Sequence, residues 1–434
     1  MSRLIQYIVL VILVSATQLF ANDRPGAVFL SIPPGAKAVG MGSAFTASIE
    51  DPTFLYYNPG GLGLYDKFGF VVMNDFLPPG IGRFAEDRIY DLLNAEQGWL
   101  PALYPGMQYI YGAIIIPYNK IGNFGFSCTY LNTGITEVIN TEGTYLGSYE
   151  TYDYAAGLSY GKKIFDKLGI GITAKYIYSY LVPSWVWEQM PELGLDKGGT
   201  ASSFAMDCGA IYRIWGFGVG ASLQNLGPRI EYSSGSSDRL PTRIRWGISL
   251  EPIVILDSLL YSIHDYPIFN IPINEIFNVK FSYDRSYDPQ QTDDIWKCSG
   301  WEFTFLKYLS YRRGSFIMGT TSGFGFNLGH IEVDIAKYYW DTYHIQLTLN
   351  AVKPPESIRN NQTLNSVFTI ASAAVVPGGG QFYKGEGIKA SAFFLPSLYL
   401  GECYFSSDSK STKTLTLIGL GALYVASAVE ALLN

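Results

Sequence analysis

Two groups of glycines invite a nucleotide-gripping reading. Gly35, Gly40, Gly42, Gly60, Gly61 and Gly63 punctuate GAKAVGMGSAFTASIEDPTFLYYNPGGLG at 35–63, and Gly216, Gly218 and Gly220 punctuate GFGVGA at 216–221. Such loops cradle phosphates where a strand feeds a helix and a Lys-Ser/Thr pair closes the loop. Neither stretch carries GxxxxGK[ST] or that context, and in the second the glycines alternate with Phe217 and Val219 as they would along a strand. His264, His330 and His344 have no metal-ligand spacing, and Cys128, Cys208, Cys298 and Cys403 contain no CxxC pair, so the cysteines read as small apolar residues. No GxSxG elbow is present, and Glu332 and Asp334 read as polar positions of a solvated strand face. The expectation is a protein without catalytic residues, metal or cofactor, and not an enzyme.

Composition turns attention to the scaffold. Only 15% of the 434 residues are charged and 15% are aromatic, with 33 tyrosines and 46 glycines. A soluble domain carries about 25% charged residues. A bundle of membrane helices is not the alternative, because each would need about 20 consecutive apolar residues and the mean hydropathy is only +0.12. A net charge of -7 argues against nucleic-acid binding. Residues 1–21 place Arg3 before an apolar run from Leu4 to Val14 and then small residues, which reads as a secretory signal peptide cut after Ala21 or Ala16. The other reading is a membrane anchor, for which the run is short.

From 67 to 352 the dominant period is two. Tyr152, Tyr154, Ala156, Leu158 and Tyr160 alternate with Asp153, Ala155, Gly157, Ser159 and Gly161, and after a turn at 165–167 the chain returns as Leu168, Ile170, Ile172, Ala174, Tyr176, Tyr178 and Tyr180. This is a long antiparallel hairpin. Similar runs at 108–117, 122–133, 204–214, 216–226, 243–250, 276–285, 301–312, 314–328, 331–336 and 344–349 give about thirteen or fourteen strands. A soluble sandwich or propeller would turn the apolar face inward, and a membrane barrel would turn it to lipid. Strand lengths near those that cross a bilayer, tyrosines at strand ends, and short turns alternating with longer loops favour the barrel. Strands in lipid must pair every backbone group, so the sheet must close. Lys175, Arg243, Arg245, Glu332 and Asp334 then face a lumen, where water or a plug receives them. Loops at about 75–106, 181–202 and 252–275 are expected at the outer rim. Within the second, VPSWVWEQMPEL at 182–193 suits substrate capture, partner contact or lipid headgroups. The apolar, small-residue stretch 22–66, with its Asn58-Pro59 turn, has the composition to fill a lumen.

Residues 34–62, PGAKAVGMGSAFTASIEDPTFLYYNPGGL, resemble the N-terminal signature of the FadL-like outer-membrane barrels, and more closely that of the PorV-type branch. GFGVGASLQNLGPRIEY followed by LPTRIRWGISL is similar to the same branch. The resemblance covers roughly residues 27–352. It implies an all-β membrane fold, a fourteen-stranded antiparallel barrel with an N-terminal hatch in its lumen. By motif match Gly35, Met41, Gly42, Phe45, Asn58, Pro59 and Gly60 belong to that hatch. Lys37, Ile49 and Glu50 depart from the signature, as does the presence of residues 353–434 beyond the barrel. There, VPGGGQFYKGEGIKA resembles the signature of small two-helix membrane domains, and TLTLIGLGALYVASAVEALL is close to bilayer-spanning length. A small α-helical appendage is expected, in which Gly378–Gly380 permit close packing, Pro396 kinks a helix, and Glu402 and Glu430 need partners.

Two functions follow from the resemblance. One is passage of hydrophobic small molecules through a hatch-gated lumen in the outer membrane of a Gram-negative-type bacterium. The other is a PorV-like docking or shuttle role for secreted or surface proteins in a type IX-like secretion system, with a generic structural porin behind both. Outer-membrane lipid is the expected surrounding partner in each case.

Overall fold

A computed structural model describes residues 25–76, 108–118, 121–140, 142–189, 199–261, 272–317, 319–327, 331–338, 343–349 and 410–433, with isolated positions between 369 and 400. The expected signal peptide, the loop at 77–107, the histidines at 264 and 330, and Cys403 and Glu402 lie outside the described residues.

Among the described residues, alternation of apolar and small polar residues yields sixteen strands: β1 (Gly69–Phe76), β2 (Gln108–Ile116), β3 (Asn123–Ile139), β4 (Tyr145–Phe165), β5 (Leu168–Tyr180), β6 (Thr200–Ile214), β7 (Phe217–Leu226), β8 (Ile230–Tyr232), β9 (Ser237–Asp238), β10 (Arg243–Leu250), β11 (Phe277–Asp288), β12 (Gln291–Phe305), β13 (Leu309–Phe316), β14 (Gly319–Asn327), β15 (Ile331–Lys337) and β16 (Tyr343–Leu349). Each barrel strand pairs antiparallel with its neighbour in sequence, except that β7 pairs directly with β10. The β1–β16 and β5–β6 pairings complete the ring. β8 and β9 form a small hairpin hung on β6 and outside that ring, leaving a closed fourteen-stranded barrel.

Sorting by face explains why the ring closes. Leu158, Phe204, Trp246, Ile248 and Phe281 are exposed on the outside, whereas their neighbours Ser159, Ser203, Arg245, Ser249 and Lys280 are buried inside. An apolar exterior on a sheet without edges is a transmembrane β-barrel. The described cysteines, Cys128, Cys208 and Cys298, are unpaired.

Three sequence expectations are corrected, the first being that 314–328 is one strand, since β13 ends at Phe316 and β14 begins at Gly319 as its hairpin partner. The run 301–312 is not one strand: it crosses a turn at Leu306–Tyr308 that joins β12 to β13, where Leu306 and Lys307 adopt φ of 56° and 60°. Left-handed hairpin turns usually declare themselves through Asn or Gly, and here neither is present. The segment 252–275 is not at the rim that carries the connections after β1 and β5. Alternate connections of an antiparallel barrel fall at opposite ends, and this one shares its end with the short turns at 166–167, 215–216 and 306–308: Glu251 N–H donates to Gly216 O at 2.7 Å and Leu306 N–H to Ile276 O at 2.7 Å. It forms helices at Pro252–Tyr261 and Ile273–Ile276. In the 182–193 stretch, the described part is a helix at Ser184–Gln189. Its Trp185 packs edge-on against Tyr149 of β4, with ring centres 6.2 Å apart.

Beyond the barrel, Lys410–Leu433 is one helix, and Lys410–Ala431 within it is long and apolar enough to cross a membrane. Its Glu430 is partnered by Lys389 at 3.1 Å and by the Gln381 amide at 2.6 Å.

Candidate functional site

Residues 25–66 run through the interior of the barrel and are almost wholly buried. Short helical turns at Val28–Ser31, Ala36–Gly40, Phe54–Tyr57 and Pro59–Gly63 give the segment its shape. Turns this short leave many backbone donors and acceptors without helical partners, and the inner wall supplies them. Gly35 N–H points at the Met73 sulfur of β1 at 3.0 Å, the Tyr109 hydroxyl of β2 donates to Ile32 O at 2.8 Å, and Asn123 of β3 donates to Leu62 O at 2.8 Å. Ser222 of β7 donates to Tyr57 O at 2.8 Å, Thr321 of β14 accepts from Gly42 N at 3.1 Å, and Gln346 of β16 accepts from Ala36 N at 2.8 Å. The tightest of these sites is Asp284 of β11. One carboxylate oxygen accepts Phe45 N–H at 2.9 Å, Thr46 N–H at 2.8 Å and the Thr46 hydroxyl at 2.5 Å.

All seven residues carried over from the resemblance lie in this segment. Gly42 has φ of 65°, and a Cβ there would stand 2.5 Å from Ser299 O and 2.6 Å from Ser315 N. Only glycine fits. Met41 and Phe45 are each 1% exposed, and Phe45 meets Tyr57 at 5.5 Å between ring centres. Asn58 orients the NPGG turn: its amide donates to Thr46 O at 2.9 Å and to the wall carbonyl Ala210 O at 3.0 Å, and its oxygen accepts Gly60 N–H at 2.9 Å. Pro59 opens the following turn, and at Gly60 a Cβ would stand 2.7 Å from the Ala210 backbone.

The five charged wall residues also face inward, yet they meet neighbouring side chains and the segment, and the solvated lumen face expected for Glu332 and Asp334 is corrected. Asp334 is fully buried against Arg312 at 2.5 Å, and Glu332 holds Lys37 of the segment at 2.7 Å. Arg243 reaches Asp294 at 2.8 Å and stacks 3.6 Å over the Trp296 ring, and Arg245 donates to Ser43 O at 3.3 Å. Lys175 bridges Asp207 at 2.6 Å and Asn225 at 2.8 Å.

Sequence reasoning did not assign roles to Lys37, Glu50, Asp51, Lys280, Asp284, Arg312 or Gln346. Lys37 and Glu50 were visible only as departures from the signature, and they are the segment's charged anchors. Burial disfavours the Lys37 ammonium, but Glu332 and Asp334 outweigh it and hold its pKa above the ordinary lysine value. Glu50 pairs with Lys280 at 2.6 Å and Arg213 at 3.0 Å. Burial pushes its pKa up, and those two cations overcome it, leaving Glu50 well below the ordinary 4.5. A carboxylate depressed in the folded state stabilises fully above its unfolded value and loses that contribution as pH falls. Glu50→Gln is therefore expected to lower the temperature at which the folded barrel converts to the slow-migrating unfolded form on gels at neutral pH. The gap from wild type should narrow once pH drops below 4.5. A gap that does not change with pH would remove the ion pairs from the account. The Glu50 side chain keeps 27% exposure, so solvent screening keeps the gap small.

The inner wall is two-sided. β1 and β2 present Val71, Met73, Tyr109, Tyr111, Ala113 and Ile115, which join Phe29, Phe45, Phe54 and Tyr57 in one apolar cluster. β10 to β16 present the Arg, Lys, Asp, Glu and Gln side chains that grip the segment. Among the described residues no group of three or more His, Cys, Asp or Glu is placed to hold a metal. His344 lies buried between the Met73 sulfur at 3.1 Å and Asp75 at 3.3 Å.

No protein-family model matches the chain, and neither does any curated protein. Solved structures do. A Pseudomonas putida toluene transporter, TodX, is 12% identical, with 73% of this chain and 96% of that chain covered and a TM-score of 0.42. The Ralstonia pickettii toluene transporter TbuX is 12% identical over 73% and 96%, with a TM-score of 0.36. A Pseudomonas aeruginosa FadL homologue is 9% identical over 72% and 96%, with a TM-score of 0.34.

Proposed function

We propose that the chain is an outer-membrane channel for apolar small molecules, in which residues 25–66 act as the hatch. The observation that carries this reading is the two-sided interior. The hatch is latched to β10–β16 by ion pairs and carboxylate and amide bonds, whereas β1 and β2 meet it mainly through apolar packing, with only the Tyr109 hydroxyl and the Met73 sulfur making polar contacts to it, so fewer directional bonds need break on that side. A hatch that shifts while still latched opens a path along Val71, Tyr109, Tyr111 and Ile115, and that path is walled for a hydrocarbon rather than for an ion. Signal-directed export and a periplasmic position for the short turns are part of the same reading.

The test is uptake by proteoliposomes carrying the full mature chain. A radiolabelled monoaromatic hydrocarbon and a labelled long-chain fatty acid are compared with a polar solute of similar size. Saturable entry of an apolar probe without entry of the polar one is the expected result, and Phe45→Asp should abolish it by placing a charge in the cluster. A second reading, a plugged barrel that docks secreted or surface proteins in a type IX-like system, is favoured by the bonds that hold the hatch around the ring. Absence of uptake together with a stoichiometric protein partner on the purified barrel would replace the first reading with the second. The C-terminal helices fit either as a membrane-associated hairpin.

A further inference from the structure

The outer wall is not uniformly bulky. Two rows of outward side chains cross the same five strands in register. One runs Lys162, Ile170, Ala210, Ala221, Trp246, and the other runs Tyr160, Ile172, Cys208, Leu223, Ile244. The middle of both rows is small: Cys208 and Ala210 on β6 and Ala221 on β7. Bulky groups on β4 and β5 stand to one side, and Leu223, Ile244 and Trp246 stand to the other. The result is an open groove of about 730 Å³ in the wall, lined by both rows up to Ile244. Its volume is in the range of sites that hold drug-sized ligands, about 300–1,000 Å³.

Beneath the β7 and β10 part of the groove lie Ser222 and Arg245, but the inner face beneath β5 and β6 is bare. Gly171 and Gly209 occupy it, and a Cβ at Gly209 would stand 3.0 Å from the Asn58 amide carbon. Backbone alone therefore separates the groove from the NPGG turn, and Asn58 donates to the carbonyl of Ala210, a residue of the groove floor. The groove has one charged lining residue with an exposed side chain, Lys162, four positions before the short turn at 166–167. A lysine at that level can lay its stem along apolar surface and place its ammonium at the headgroups.

We infer that this groove holds an acyl chain of an anionic glycerophospholipid from the leaflet at the short-turn rim, with the lipid phosphate paired to Lys162. The shape and the charge argue for the same occupant. Hydrocarbon fills a depression that faces hydrocarbon, and a cation stands where a phosphate ends the chain. Because the floor is shared with the Asn58 contact, the bound chain also braces the wall against which the NPGG turn sits. This lipid site does not depend on what passes through the barrel.

Native mass spectrometry of the full mature protein, titrated with phosphatidylglycerol or phosphatidylcholine in matched detergent, tests the inference. Wild type should retain phosphatidylglycerol in preference to phosphatidylcholine. Ala221→Trp, which fills the groove from the lipid side, should raise the phosphatidylglycerol concentration needed for half occupancy by about tenfold, or ~1.4 kcal/mol. Lys162→Gln, which leaves the groove intact, should erase the headgroup preference while chain retention persists. Cys208 supplies an independent readout without any substitution, because it is exposed in the groove. Its maleimide labelling, followed by peptide mapping, should slow when phosphatidylglycerol is added. Retention and Cys208 labelling that ignore both lipid and Ala221→Trp would overturn the site. Equal binding of the two lipids by wild type would overturn the role of Lys162.

Discussion

Asp284→Ala is expected to unlatch the hatch and turn a tight barrel into one that conducts ions in planar bilayers. Asp284 is fully buried, and its oxygen is the acceptor for two backbone N–H groups and one hydroxyl of the Phe45–Thr46 turn. Alanine leaves those donors without a partner in a space closed to water, and each buried unsatisfied donor costs about 1–3 kcal/mol. It also removes the carboxylate 3.9 Å from Arg245, a guanidinium that is itself 1% exposed. Breaking a buried charge pair by deleting one partner costs about 3–5 kcal/mol. A penalty of that size is large beside the few bonds that hold residues 43–48, so this stretch should lose its hydrogen-exchange protection while the strands keep theirs. Asp284→Asn keeps one acceptor oxygen, and its conductance should lie well below that of the alanine variant. If the alanine variant is as tight as wild type and residues 43–48 stay protected, Asp284 is not a latch.

The parts of this molecule that were legible in the sequence are those where one residue's type reports its own environment. Outward Leu158 and Trp246 against inward Ser159 and Arg245 are of this kind, and so are the Gly42 and Asn58-Pro59 positions, which only particular residue types tolerate. The turn at Leu306–Lys307 was illegible because its left-handed backbone is enforced by the pairing of β12 with β13 and not by the turn residues. The end at which 252–275 emerges depends on counting every strand before it, so a local reading carried no information on it. The latch was illegible for a related reason. Asp284 lies 239 residues from Phe45 and Gln346 lies 310 residues from Ala36. An inward charge on a strand looks the same in sequence whether it meets water or a partner. Lys37 and Glu50 were the available signal, since a charge inside an otherwise apolar, glycine-rich segment needs a counter-charge wherever the segment is buried.

Arg312→Met should prevent the barrel from reaching its heat-resistant folded form, and charge removal on the opposing side should restore it. Arg312 is 1% exposed and stands among Glu302, to which it is tightly paired, Asp334 at 2.5 Å and Glu332 at 3.7 Å. Lys37 of the hatch, 2.7 Å from Glu332, is the other cation of the group. With Arg312 present the cluster joins three carboxylates to two cations; with methionine the same carboxylates face Lys37 alone. Desolvated like charges repel, and leaving even one of them unpaired costs about 3–5 kcal/mol, which is comparable to the whole stability of many domains at about 5–15 kcal/mol. Methionine roughly preserves the volume, so packing is not the cause of the loss. Adding Glu302→Gln and Asp334→Asn to Arg312→Met removes two of the three negative charges and leaves Glu332 with Lys37. That triple variant should regain most of the gel shift of the folded barrel. If instead the single variant folds as wild type does, the cluster is electrostatically idle and the hatch is held there by packing. If the triple variant fails as badly as the single one, the need is for the guanidinium's hydrogen bonds and not for its charge. The triple variant separates these causes because it relieves the excess negative charge without restoring a single Arg312 bond, so its recovery measures repulsion alone.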